Sequence, residues 1–337
     1  MKNLKILVAG AGNWGKHLVR NYYDLGVLYG CCDVDEKRLE AVKRSFNPAK
    51  ISNDFSVLVR DPLIDGVVIS APAVDHYRLA KMALDQGKAV YVEKPMALTA
   101  KDCEELVALA KKQKVVLMVG HLMLYHPAVR QIKAYIDKGE LGDIYYGYSV
   151  RVNLGTVRRD ENSLWSFAPH DISMLLYLFG SPVTSVSARG QYYLQKGIED
   201  VVFLSLYFKD QKMAQIQISW LDPHKERKLT IVGSKKMLVF DDVENVEKIK
   251  IYDKGITVEQ QKGEFDSYGD YLTLRSGDIY LPYVDMVEPL RVECRHFLEC
   301  IKENKKPFTD GESGLEVVRI LEKAQESLKQ GGMPIEI

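Results

Sequence analysis

Residues Gly10-Ala11-Gly12-Asn13-Trp14-Gly15 constrain this chain more than any other stretch. They follow the apolar run 4–9 and open the amphipathic stretch 16–25. Three glycines at the G-x-G-x-x-G spacing, set between a strand and a helix, have separate tasks. The first permits a tight turn. The second lets the backbone approach a pyrophosphate, and the third lets helix and strand pack closely. Free N–H groups at the helix start, aligned with its dipole, favour a phosphate. The next apolar run, 27–32, ends on Asp33, where a carboxylate can accept hydrogen bonds from ribose hydroxyls. That carboxylate would repel a 2′-phosphate, and Val34-Asp35 follow it rather than a basic residue. The expected dinucleotide is therefore NAD rather than NADP.

The first third of the chain repeats this alternation. Short apolar runs at 4–9, 27–32, 66–70, 89–92 and 115–119 are separated by helical spacing at 16–25, 36–46, 75–86 and 99–113. Continuously apolar strands between amphipathic helices imply a parallel sheet covered on both faces, the doubly wound α/β pattern. After Gly120 the texture changes. A helix near 127–138 precedes a strand at 144–152, and a helix at 171–179 precedes strands at 183–194, 201–209, 213–220, 228–232, 237–241 and 248–252. Short polar turns such as Lys209-Asp210-Gln211-Lys212 join them, which reads as a large, mostly antiparallel open sheet in an α+β domain. Helices at 287–303 and 311–329 close the chain. The expected division is a Rossmann domain over 1–122 and an α+β domain over 123–337, with the terminal helices packed on the latter. Strand 201–208 has apolar residues on both alternating faces, so a second subunit is expected over that sheet, in a homodimer or homotetramer.

Composition closes other routes. The 337 residues carry 46 basic and 46 acidic side chains, so no overall field attracts nucleic acid or an anionic membrane. Five scattered cysteines form no C-x-x-C pair, which fits reduced thiols in the cytoplasm and gives no sign of a metal site. No stretch is long and apolar enough to span a bilayer.

The run 89–92 ends in Glu93-Lys94-Pro95. A lysine beside a glutamate there reads either as a solvated turn or as a group that does chemistry. A Tyr-x-x-x-Lys pair, Tyr77 to Lys81, is expected once by chance among 19 tyrosines and lies too early in the chain to be catalytic. Other segments accompany Glu93-Lys94-Pro95: Ser70-Ala71-Pro72 with His76, Gly120-His121 with Pro127, the 164–180 segment LWSFAPHDISMLLYLFG, Glu293 with His296 and Phe297, and DGESGLEVV near the end. Together, across essentially the entire chain, they resemble the glucose–fructose oxidoreductase, inositol dehydrogenase and rhizopine-catabolism (Gfo/Idh/MocA) family.

The resemblance implies roles. Lys94 would touch the nicotinamide ribose side and the reacting hydroxyl, stabilising developing alkoxide, with Glu93 and a cis peptide before Pro95 fixing it. His170 would take the hydroxyl proton, and histidine has a suitable pKa for that task. At a helix N-terminus the dipole would also disfavour its charged form. The competing reading of His170 with Asp171 is a helix cap. The cofactor set would be Gly10, Gly12, Asn13, Trp14, Gly15, Asp33, Ala71, Pro72, His76, Glu93, Lys94, His121 and Trp165. One departure stands out: the family commonly has an aspartate four residues before the histidine, where this chain has Ser166.

Within the family, the closest likeness is to members that oxidise a ring hydroxyl of nucleotide sugars, such as a 3-dehydrogenase of a UDP-N-acetylhexosaminuronate. Arg151, Arg158, Arg159, Lys225 and Arg227 could then meet a diphosphate or uronate, with Arg158-Arg159 the leading pair and Asp171 a further substrate contact. A free-sugar or inositol dehydrogenase and a non-catalytic NAD(H) sensor are the alternatives.

Overall fold

The structure, a computed structural model, describes residues 4–155, 157–258 and 272–337. It divides into two compact units: Met1–Tyr125 with Val287–Glu322, and His126–Met286 with Lys323–Ile337.

The first unit runs β1 (Ile6–Ala9), α1 (Gly15–Asp24), β2 (Leu28–Cys32), α2 (Glu36–Phe46), β3 (Lys50–Ser52), α3 (Phe55–Leu58), β4 (Gly66–Ile69), α4 (Ala73–Asp85), β5 (Ala89–Glu93), α5 (Ala100–Gln113) and β6 (Leu117–Gly120). Its six strands pair in parallel in the order β3-β2-β1-β4-β5-β6. Every residue of β1, β4, β5 and β6 is buried, the expected result of covering both faces with helices. Strand order reverses between β1 and β4, so the loops after these two strands flank the crevice where such sheets take ligands.

The helix Pro289–Glu303 belongs to this unit, not to the second one as the sequence reading expected. Leu290, Cys294, Phe297 and Leu298 line one face of it, at helical spacing. They enter the core that holds Leu18, Tyr22 and Tyr91, with Phe297 edge-on to Tyr91 at 5.9 Å. Beyond it, the Val119 N–H donates to the Thr309 carbonyl at 2.8 Å, alongside β6. Periodicity shows that a helix has an apolar face; it does not say which sheet receives it.

The second unit contains α6 (Pro127–Asp137), β7 (Ile144–Val152), α7 (Ser163–Phe179), β8 (Val183–Gln191), β9 (Val201–Phe208), β10 (Met213–Ser219), β11 (Glu226–Gly233), β12 (Met237–Asp241) and β13 (Ile249–Tyr252). Short strands Ile279–Tyr280 and Ile335–Glu336 complete a nine-stranded sheet at its two edges. The sheet is mostly antiparallel, but β7 and β10 pair in parallel at its centre. Residues Val202, Leu204, Leu206 and Phe208 of β9 are buried, on the face where α7 packs. The opposite face leaves Tyr146, Tyr148, Phe203, Tyr207 and Met213 exposed.

Helix α7 starts at Ser163, earlier than the expected 171. Pro169 lies inside the helix, although a proline has no N–H to give and crowds the preceding turn. Burial of Leu164, Ala168, Ile172 and Leu175 carries the helix through it, and Asn162 caps the start by accepting the Trp165 N–H at 3.2 Å. His170 therefore lies about two turns into the helix. A cap role is excluded, and so is a dipole effect, which fades beyond the first turn.

Candidate active site

The glycine loop has the shape its spacing requires. Gly10 has φ of 96°, and a Cβ there would fall 2.7 Å from the Ser70 and Ala71 backbone. A Cβ on Gly15 would fall 2.0 Å from the Gly10 carbonyl oxygen, where helix and strand press together. At Gly12 a Cβ would meet only the Arg38 guanidinium, at 3.5 Å, leaving the backbone open to a ligand. No side chain caps the start of α1 and no acidic residue stands in its first turn. Asn13 and Trp14 are exposed beside it. Buried Asp33 braces the loop: its carboxylate accepts the Ala11 N–H at 2.6 Å and the Asp35 N–H at 2.9 Å. These residues fit a dinucleotide.

Arg38 is the residue that sequence reading missed. Five positions past Asp33, it turns back along α2 to stand 3.6 Å from the Asp33 carboxylate and 3.4 Å from Asp35. The sign looked for was a basic residue directly after Asp33; helical geometry supplies one later instead.

At the end of β5, Glu93 gathers donors. Its Oε1 accepts the Trp14 indole N–H at 2.6 Å and the Tyr91 hydroxyl at 3.0 Å. A Cβ on Gly120 would come within 2.9 Å of its other oxygen, so only glycine leaves room there. The glycine loop and the Glu93-Lys94-Pro95 turn are thus joined through Trp14. The Lys94–Pro95 peptide is cis. His76 ties the turn to the loop after β4: one ring nitrogen lies 2.7 Å from the Pro95 carbonyl oxygen and the other 2.8 Å from that of Ala71, next to Pro72. Burial lowers its pKa, against those two carbonyls, and Lys94 adds to the lowering. Buried His76 lies between the two loops, and in its neutral form its one N–H donates to one of these carbonyls.

His121 is also buried, and neither ring nitrogen has a hydrogen-bond partner among the described residues. Burial, and then the charge of Lys94, hold its pKa down to about 4. It is a neutral imidazole beside a cation, with polar atoms left for a bound group to meet.

In the second unit, α7 sets His170 partly buried, with Ser166 one turn earlier on the same face. Asp171 does not replace the absent aspartate. Its Oδ1 accepts the Ser149 hydroxyl at 2.5 Å and its Oδ2 takes the Arg151 guanidinium of β7. Both Arg151 and Asp171 are buried in that pair. Arg158 is half-exposed and pairs with Glu161 at 3.0 Å, while Arg159 and Lys225 are exposed. Arg227 is different. It faces Arg151 directly across β11 and β7, lies 3.8 Å from Asp242, and its buried Nε has no partner among the described residues. Trp165, in the first turn of α7, gives its indole N–H to Gln325 at 3.2 Å, which makes it part of the helix anchorage.

Placing a carboxylate one turn before His170, by Ser166→Asp, should raise the histidine's pKa by about one unit, because a nearby negative charge favours imidazolium. If the histidine is to accept a proton, as the sequence resemblance implies, it does so only when neutral. The acidic fall of kcat/KM should then move to higher pH by that amount, and pH–rate profiles that coincide would contradict the pairing.

Two family descriptions match this geometry in sequence: "Oxidoreductase family, NAD-binding Rossmann fold" over residues 4–121, and "GFO/IDH/MocA C-terminal domain" over residues 129–239. The chain belongs to the GFO/IDH/MocA oxidoreductase family. This makes it an NAD-binding oxidoreductase with a Rossmann unit and a mixed-sheet unit. It is 24% identical to scyllo-inositol 2-dehydrogenase (NAD(+)) of Bacillus subtilis (strain 168), over 99% of this chain and 96% of that protein. Identity to scyllo-inositol 2-dehydrogenase (NADP(+)) IolW of the same organism is 25%, over 97% and 94%. Among solved structures, the UDP-N-acetylglucosamine 3-dehydrogenase GnnA of Acidithiobacillus ferrooxidans has the same fold, with a TM-score of 0.81 at 21% identity over 98% and 99% of the two chains. No helix among the described residues is long and apolar enough to cross a membrane.

Proposed function

We propose that this family member oxidises a ring hydroxyl of a sugar, most specifically of a nucleotide sugar such as a UDP-N-acetylhexosaminuronate. NAD, when bound, supplies the hydride acceptor. The observation that supports the reading is the brace from the glycine loop through Trp14 to Glu93, the residue before Lys94 at the carboxyl end of β5. Lys94 stabilises the alkoxide that develops as the substrate carbon loses hydride, since a compact ammonium suits a localised oxygen charge. His170 accepts the hydroxyl proton, and the product is a ketone. Arg227, with its unpartnered Nε, takes over from Arg158-Arg159 as the residue for an anionic substituent.

The inositol dehydrogenases among the relatives favour a second substrate class, a cyclitol. Both are tested by nicotinamide absorbance after mixing the protein and NAD with UDP-N-acetylglucosaminuronate, UDP-N-acetylglucosamine, glucose and scyllo-inositol. Reduction with a nucleotide sugar alone supports the first class; reduction with scyllo-inositol alone replaces it.

NAD is the proposed cofactor, because Asp33 stands where a 2′-phosphate would lie. With Arg38 in place, Asp33→Ser should shift the preference toward NADP by about tenfold or more, since it removes a like-charge repulsion and leaves a cation. An unchanged ratio of the two KM values would sink that assignment. The exposed apolar face of the second unit's sheet supports a homodimer or homotetramer. Five buried, unpaired cysteines support a reducing compartment such as the cytoplasm.

A further inference from the structure

The sheet of the second unit carries a row of charges on the face where α7 packs. Arg151 of β7 stands directly opposite Arg227 of β11, and just past β12 the Asp242 N–H donates to the Arg227 carbonyl at 2.9 Å. Glu226 and Lys228 alternate to the other face, where Lys228 lies 3.2 Å from Glu226 and 3.7 Å from Asp241. Like charges directly opposite each other cost stability. Arg151 is compensated, because Asp171 of α7 holds it and both are buried. Arg227 has no such partner. Its Nη1 is 3.8 Å from Asp242, beyond hydrogen-bond distance, and buried His126 stands 3.6 Å from the same carboxylate. The His126 Nδ1 accepts the Ala128 N–H at 3.1 Å, so the ring is neutral with its proton on Nε2. Buried Lys248 gives its Nζ to the carbonyls of Asp242 and Glu244, at 3.2 and 2.6 Å.

Three cations, Arg151, Arg227 and Lys248, therefore face two carboxylates, Asp171 and Asp242. The row lacks one negative charge. It also lacks one acceptor, because the buried Nε of Arg227 has no partner among the described residues. Burial, and then the Arg151 charge, hold the Arg227 pKa below its usual value, against Asp242 and Asp171. Arginine keeps its proton in a protein all the same, and a buried donor without an acceptor is costly. Nε lies on the edge of the guanidinium away from Nη1, beside Nη2, and the side chain is 33% exposed, so a ligand can reach it. A carboxylate meets both needs. Its two oxygens match the two N–H groups of that edge, and its single charge completes the row. A diphosphate would add a further negative charge beside Asp242, which like charges disfavour.

We propose that Arg227 determines specificity by seating one substrate carboxylate on its Nε–Nη2 edge, so that the anionic substituent read here is the carboxyl of a sugar acid and not a phosphate. This deepens, and rests on, the reading of a sugar site given above. Asp171, which holds Arg151 beside the seat, follows His170 directly on α7.

The test is calorimetric titration of the full chain, saturated with NADH so that no turnover intervenes. The probes are UDP-N-acetylglucosaminuronate, UDP-N-acetylglucosamine, which has a hydroxymethyl in place of the carboxylate, and UDP. Wild type should bind the acid about 30-fold or more tightly than the neutral sugar. Arg227→Gln should bring that preference close to unity by weakening the acid, and UDP affinity should not follow it down. Arg227→Lys keeps the charge without the fork and should retain only part of the preference. A merely structural arginine would lower all three affinities together. Equal binding of acid and neutral sugar by wild type, no binding of the acid, or a parallel fall for UDP in Arg227→Gln would overturn the proposal. Selective binding of the acid without any reduction of NAD would uphold the carboxylate seat and sink the dehydrogenase reading. Reduction of NAD by the neutral sugar as readily as by the acid would do the reverse.

Discussion

Lys94→Ala is expected to lower kcat by about 100- to 1,000-fold while NAD still binds. In the proposed reaction the lysine contributes to the transition state, where the substrate oxygen gains charge as hydride departs; a group that acts only there changes kcat more than binding. The cofactor's pyrophosphate is held elsewhere, by the glycine loop, whose geometry depends on Gly10, Gly15 and Asp33. His170→Ala should cost about 100- to 10,000-fold through loss of the base, with the acidic limb of the pH profile removed. In the proposed reaction both groups serve one proton and hydride transfer, so the two losses should not add. Steady-state rates and calorimetric NAD titrations of both variants check this. Full activity in Lys94→Ala would end its catalytic assignment. Turnover absent even in wild type, with NAD bound tightly, would turn attention to a sensor.

Gly15→Ala is expected to destabilise the first unit by roughly 3 kcal/mol or more, since the added carbon would overlap the Gly10 carbonyl at 2.0 Å and the Ser70 hydroxyl at 2.7 Å. Both neighbours belong to loops that the sheet holds in place, so neither can retreat cheaply. Gly12→Ala makes the informative contrast. Its Cβ would meet only Arg38 at an ordinary van der Waals distance, so the thermal midpoint should match wild type. NAD affinity should nevertheless fall by about tenfold or more, because the methyl occupies the side from which a pyrophosphate reaches the backbone. Chemical denaturation and NAD titration separate the two effects. Wild-type NAD affinity in Gly12→Ala would mean that the loop shapes the fold without holding the dinucleotide.

Much of the Rossmann unit was legible in local pattern. Strands β1, β4, β5 and β6 are apolar at every position because helices cover both faces, and that leaves a continuous signature. Strand β3 was not read: Lys50–Ser52 is short, partly exposed and at the sheet edge, so nothing forces an apolar run. The start of α7 lies eight residues before the expected 171, because the burial of Leu164 and Ala168 that carries the helix through Pro169 is not visible in local sequence. The leading anion pair, Arg158-Arg159, was read from its place in the loop before α7; the partner that Arg158 has in Glu161 is set by tertiary structure.

The sequence by itself determined the dinucleotide loop, the parallel sheet, the lysine at the end of β5 and the family. Each depends on residues close together in the chain, where spacing alone dictates geometry. Only tertiary structure decided the burial of Asp171 against Arg151, the return of Arg38 to Asp33, and the hydrogen bond from Trp14 to Glu93 across the first unit. Charge and protonation depend on the partners and solvent that surround a group, and long-range packing brings those together after local order is set.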